Sequence, residues 1–221
     1  MNRTLSIHLD FLRFFAACAV FMAHLPMFIG GYLWQLGQWG HQAVVVFFVL
    51  SGFVIAFVTD GREKNIAEYA INRATRIYSV AIPALIISIL VFYWALAIKP
   101  EVLSAFVNGM QDPISTIFAA LTFTNQSWIN FVVFANPPYW SLGYEVMYYL
   151  FFGVLFYLRG WKRVTLAALI LIVMGPSITL YAPLWFIGVL TYHQCKKHDA
   201  GDRNIRHLTL FVLTTIMIAI L

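Results

Sequence analysis

Four ionisable residues, Asp10, Arg13, His24 and Glu145, lie in stretches that are otherwise apolar. A charge at the centre of a bilayer costs about 2.5–3.5 kcal/mol on insertion scales, so such residues are functional candidates by default. Arg13 and His24 are eleven positions apart. On a helix of 3.6 residues per turn that returns to within about 20° of one face, and Asp10 falls within about 40° of His24. One helical stripe therefore carries a carboxylate, a guanidinium and an imidazole. His24 is the natural general base of the set, able to take a proton from a hydroxyl. Glu145 begins a later apolar run at a depth matching that of His24, and a carboxylate there would hold the imidazole tautomer and steady the imidazolium. Each assignment has a plainer counterpart. Asp10 and Arg13 also suit an i,i+3 pair at the cytoplasmic interface, with His24 a satisfied interior histidine. Glu145 also suits a hydrogen bond to Tyr148 or Tyr149, one turn on.

Arg73 and Arg76 are spaced i,i+3 at the mouth of another apolar run. Two guanidinium forks there suit phosphate oxygens, although juxtamembrane arginines also serve as topology signals and lipid headgroup ligands. The run Phe47-Phe48-Val49-Leu50-Ser51-Gly52-Phe53 is apolar with one small polar step at Ser51 and Gly52, which predicts close helix packing. Pro137-Pro138 ahead of Tyr139-Trp140-Ser141 sets a rigid entry to the helix bearing Glu145, with Trp140 an interfacial anchor. No His/Cys/Asp/Glu grouping has metal-ligand spacing, and neither a glycine-rich phosphate loop nor a Gly-x-Ser-x-Gly elbow is present. No resident cofactor or metal is expected.

The elements that carry these residues follow from composition. Of 221 residues, 62% are hydrophobic and 10% charged, which excludes an ordinary soluble domain. The net charge of +5 reads as topology signal rather than as a nucleic-acid footprint. We expect an all-α, polytopic transmembrane bundle forming a single domain over residues 1–221. About seven spans are counted, near 9–30, 42–58, 77–98, 140–158, 164–180, 182–195 and 207–221. With the N-terminus in the cytoplasm, Arg3, Arg62, Lys64, Arg73, Arg76, Arg159, Lys162, Arg163 and Lys196 fall inside, and Lys99 outside. The polar side chains Asn125, Gln126, Ser127, Asn130 and Asn136 turn residues 99–139 into an outer-face excursion with re-entrant pieces rather than a further span. Gly175-Pro176 with Pro183 predicts a tight hairpin between the fifth and sixth spans. Residues 209–221 run apolar to the last position with nothing to end a helix, as expected of a chain that stops short.

Together, the arginine, ten residues and histidine from Arg13 to His24, the Phe-Phe-Val-Leu-Ser-Gly-Phe run, Arg73-Ala-Thr-Arg76 and Trp140-Ser141-Leu142-Gly143-Tyr144-Glu145 resemble bacterial acyltransferase family 3. The resemblance is specific over roughly residues 7–158. It implies transfer of an acyl group, most often acetyl, from cytosolic acyl-coenzyme A to a hydroxyl of a cell-surface or exported carbohydrate such as lipopolysaccharide. It also implies a multi-pass protein of the bacterial inner membrane. His24 matches the family's essential histidine, Arg13 the arginine of that motif, and Arg73 with Arg76 the pair that meets coenzyme A phosphates. Glu145, Trp140 and Ser141 match the outer-side motif. Family members have about ten spans, so the C-terminal part of the domain is expected to be missing. The rival readings are a transporter or channel component lined by the same charged residues, and an inactive truncated acyltransferase.

Overall fold

The computed structural model of the chain describes residues 3–27, 34–103 and 112–197. Among them there are six α-helices, short 3-10 turns and one isolated bridge between Val133 and Asn136, with no strand. The helices are α1 (Arg3–His24), α2 (Gly40–Arg62), α3 (Ile66–Ile98), α4 (Pro113–Thr122), α5 (Trp140–Tyr157) and α6 (Gly160–Lys197). The all-α expectation holds. Three of them, α2, α3 and α6, are long and apolar enough to cross a membrane, which makes this a membrane protein.

That is fewer than the seven spans counted from sequence, for identifiable reasons. The fifth and sixth expected spans fall on α6, which is two helical segments joined across a kink at Gly175, whose φ of 70° is left-handed. The first and fourth expected spans correspond to α1 and α5, which carry Asp10, Arg13 and Glu145 and are not among these three. The expected seventh span, 207–221, lies outside the described residues, as does most of the basic loop before it.

The chain divides into two compact units, Met1–Arg62 with Pro183–Leu221, and Glu63–Ala182. In the first, α1 packs on α2, and a Cβ placed on Gly40 would lie 2.8 Å from the Ala23 Cβ, next to His24. The small step in α2 does what the sequence predicts. Gly52 meets the backbone of Trp185 on α6, and Gly188 in turn meets the backbone of Val49 and Phe53. Val49, Leu50 and Ile55 are wholly buried around this contact. At the far end of α2, Asp60 accepts a hydrogen bond from the Tyr192 phenol at 2.6 Å and pairs with Lys196.

In the second unit, Asn65 caps α3 by accepting from the Glu68 amide at 2.9 Å, while the Glu68 carboxylate accepts from the Lys64 amide at 3.0 Å. Two orphan donors at the helix start are thereby satisfied. The 99–139 segment contains no spanning helix among the described residues, as expected. Its α4 starts at Asp112, which accepts from Ile114 and Ser115, and stops at Phe123 in left-handed conformation. It runs back along α3, for the Tyr78 phenol donates to the Leu121 carbonyl and the Asn136 amide donates to Ser88. Tyrosines knit the rest together. Tyr69 donates to the Tyr149 carbonyl, Tyr139 to Ala120 and Tyr148 to Ile178, each a phenol satisfying a backbone group of another element. Burial pushes the Tyr139 phenol up to about 12, which keeps it a donor.

Candidate functional site

His24 is the last residue of α1. Its ring is half-buried, and Nδ1 lies 2.8 Å from the carbonyl of Val20, one turn back. A carbonyl only accepts, so Nδ1 carries a hydrogen, and in the neutral imidazole Nε2 then holds the lone pair. The contact that orients a catalytic histidine in the general scheme is thus made by the helix backbone itself. Asp10 and Arg13 form the expected i,i+3 pair at 3.8 Å on α1, with Asp10 largely exposed.

Glu145 lies in the second unit, near the start of α5. Its carboxylate accepts a hydrogen bond from the phenol of Tyr149, one turn along the same helix. The orienting role expected of Glu145 toward His24 is therefore matched, within each unit, by a separate local partner: Val20 for the imidazole and Tyr149 for the carboxylate. Ahead of Glu145, Trp140 packs edge-on against Tyr144 with centroids 4.9 Å apart, and Ser141 donates to the Pro138 carbonyl at 3.0 Å. These two residues build the entry to α5 from the Pro137-Pro138 turn. Gly143 lets the turn after α4 come close, since a Cβ there would sit 3.1 Å from the Phe123 carbonyl oxygen.

The two arginines of α3 have different surroundings. Arg76 is exposed, while Arg73 is buried and paired with Glu63, whose side chain is only 1% exposed. Glu63 also accepts from the Asn72 amide at 3.0 Å. The central carbon of the Arg73 guanidinium lies 5.2 Å from the ring centroid of Tyr69 and 6.0 Å from that of Tyr149. Positions three apart on a helix differ by about 60° in direction. That angle is enough to send one arginine inward and leave the other outside.

Arg73 lines a cavity of about 390 Å³ between α3, α5 and the end of α4. Its other walls are apolar or aromatic, among them Tyr69, Ile77, Phe123, Leu150 and Gly153. Gly153 is small for a reason: a Cβ there would lie 2.8 Å from the Tyr69 ring. A second hollow of about 270 Å³ is lined by Gln126, Asn130, Asn136 and Trp140. It offers planar amides and one indole, groups that suit a polyhydroxylated ligand because amides both donate and accept. Among the described residues no group of three or more His, Cys, Asp or Glu is placed to hold a metal.

Sequence reasoning missed Glu63 and Tyr69. Glu63 stands between Arg62 and Lys64 and has the look of a solvated turn.

The chain is 30% identical over 153 residues to acyltransferase MdmB of Streptomyces mycarofaciens, a match covering 64% of this chain and 36% of that protein. The chain thus spans about a third of the length of the relative it matches. No solved structure shows significant similarity. A family profile described as an acyltransferase domain matches residues 7–220, from before Asp10 to nearly the last residue, and takes in α1 with His24, the α3 arginines and the α5 motif. On that match the chain belongs to the acyltransferase family 3 domain proteins.

Proposed function

We propose that the protein is a membrane O-acyltransferase which moves an acyl group, most often acetyl, from acyl-coenzyme A to a hydroxyl of a cell-surface or exported carbohydrate. The observation that carries this reading is the fixed tautomer of His24, whose Nδ1 hydrogen is committed to Val20 and whose Nε2 is left basic. The family to which the chain belongs supplies the reaction class.

In this reading the phosphates of coenzyme A dock at the start of α3, where Arg76 is exposed. The pantetheine arm, long and weakly polar, enters the apolar cavity that Arg73 lines. Arg13, held by Asp10, adds positive charge at the donor end of α1. Nε2 of His24 takes the proton from the acceptor hydroxyl as its oxygen attacks the thioester carbonyl. Collapse of the tetrahedral intermediate breaks the carbon–sulfur bond, and the departing thiolate recovers the proton. General-base assistance of this kind is worth about 10²–10⁴-fold. Glu145, hydrogen-bonded to Tyr149, is the carboxylate of the α5 motif. The hollow lined by Gln126, Asn130, Asn136 and Trp140 receives the sugar. The enzyme sits in the bacterial inner membrane with its N-terminus in the cytoplasm, the side on which its cations gather.

The test is mass spectrometry of purified surface glycans from cells expressing this chain, a full-length relative, the His24→Ala variant or an empty vector. Added acyl mass that disappears with His24→Ala, at equal protein in the membrane, is the expected result. Acyl mass retained by His24→Ala would overturn the catalytic assignment, and none from either protein would overturn the activity.

A further inference from the structure

The guanidinium of Arg73 is already paired through its Nη2, while its buried Nε makes no hydrogen bond. Its charge is matched by Glu63, and both side chains are withdrawn from the surroundings, at 10% and 1% exposure. Its central carbon lies over the rings of Tyr69 and Tyr149. Those two tyrosines are themselves joined, because the Tyr69 phenol donates to the Tyr149 carbonyl at 2.8 Å. The Tyr149 phenol in turn donates to Glu145. An unbroken line of contacts within one compact unit therefore runs from Glu63 through Arg73 and Tyr149 to the Glu145 carboxylate.

A guanidinium in this position is poorly suited to bind a phosphate directly. A phosphate would have to displace a buried carboxylate that has no water to receive it, and leaving such a charge unpaired is strongly unfavourable. Arg76 suffers no such competition at its exposed position. A planar guanidinium between two tyrosine rings is, by contrast, well suited to holding those rings in place, since its attraction is to the ring face.

We infer that Glu63, Arg73 and Tyr149 are positioning residues for Glu145, and that the charge contact to the donor's phosphates falls to Arg76 alone of the α3 pair. The inference rests on the acyltransferase reading above and divides between two residues a role that the sequence pattern gives to both. Arg73 acts on the reaction through Tyr149, and its partner Glu63 belongs to the machinery.

The experiment is steady-state transfer from acetyl-coenzyme A by the full chain purified in lipid nanodiscs, varying the donor, for wild type, Arg73→Lys, Tyr149→Phe and Arg76→Ala. Thermal melting of each variant reports folding. Arg73→Lys keeps the charge for Glu63 and loses the planar face; Tyr149→Phe keeps the ring and loses the phenol. Both are expected to lower kcat by about tenfold with donor KM within about twofold of wild type, the signature of an effect on the transition state rather than on donor binding. Arg76→Ala is expected to raise donor KM by about tenfold with kcat little changed. If Arg73→Lys raises KM as Arg76→Ala does while kcat holds, Arg73 is a phosphate ligand and the inference is overturned. Unchanged kcat in Tyr149→Phe overturns it equally. Wild type that transfers nothing from acetyl-coenzyme A overturns the acyltransferase reading itself, a failure distinct from either.

Discussion

A single hydrogen bond, Nδ1 of His24 to the carbonyl of Val20, determines which nitrogen of the imidazole is available for chemistry. If Nε2 is the base, replacement by Gln, whose amide can occupy a similar volume but cannot accept a proton, should abolish transfer as completely as Ala. Rates of His24→Gln and His24→Ala in nanodiscs test this, with a loss of at least about 100-fold expected of both. Asp10→Asn, which removes one charge from a largely exposed pair, should change donor KM by less than about twofold, because exposed pairs contribute about 0–1 kcal/mol. The helix arithmetic of the sequence finds this pair and the histidine because both depend only on local periodicity. Tyr149 was within reach for the same reason, as one of two tyrosines a turn from Glu145. Glu63 was not, since its burial is set by the packing of α3 against α5 and by the inward turn of Arg73. No spacing rule records that.

At the scale of helices, close approach is what the small residues provide. A side chain on Gly52 would strike the Trp185 backbone, and one on Gly188 would strike Val49 and Phe53. Gly52→Leu should therefore lower the melting temperature of the detergent-purified protein sharply. Overpacking usually costs about 1–3 kcal/mol, and contact with backbone rather than a flexible side chain puts this case at the upper end. Gly61→Leu, where nothing lies within reach, is the control and should melt as wild type does. The Ser51-Gly52 step was legible as a packing surface because large apolar residues flank it. Its partner was not, because Trp185 is distant in sequence and nothing in an apolar run names the helix it will meet. The 99–139 segment shows the same division. Its clustered amides announce that it cannot simply cross lipid, and the Asp112-Pro113 start of α4 is an ordinary capping signal. That α4 returns along α3 as far as Tyr78 is known only from the contacts.

For the molecule as a whole, apolar composition establishes residence in a membrane far better than it counts crossings. Helices α2, α3 and α6 have the length and apolarity to cross, while the charged and aromatic faces of α1 and α5 blur the same criterion. Orientation has a direct check. In a variant with Cys18 and Cys195 replaced by Ser, a cysteine introduced as Lys64→Cys should react with a membrane-impermeant maleimide only after the cells are opened. Labelling of intact cells would reverse the orientation drawn from the basic residues. Gly175 bears on how the chain is made. The part of α6 before it, 160–174, rises about 22 Å, short of a hydrocarbon layer of about 30 Å, whereas 176–197 rises about 33 Å. As the nascent chain meets the insertion machinery, the downstream half alone is a competent stop signal. The upstream half, too short to cross alone, is expected to enter together with it, so the two segments joined at Gly175 depend on each other for insertion.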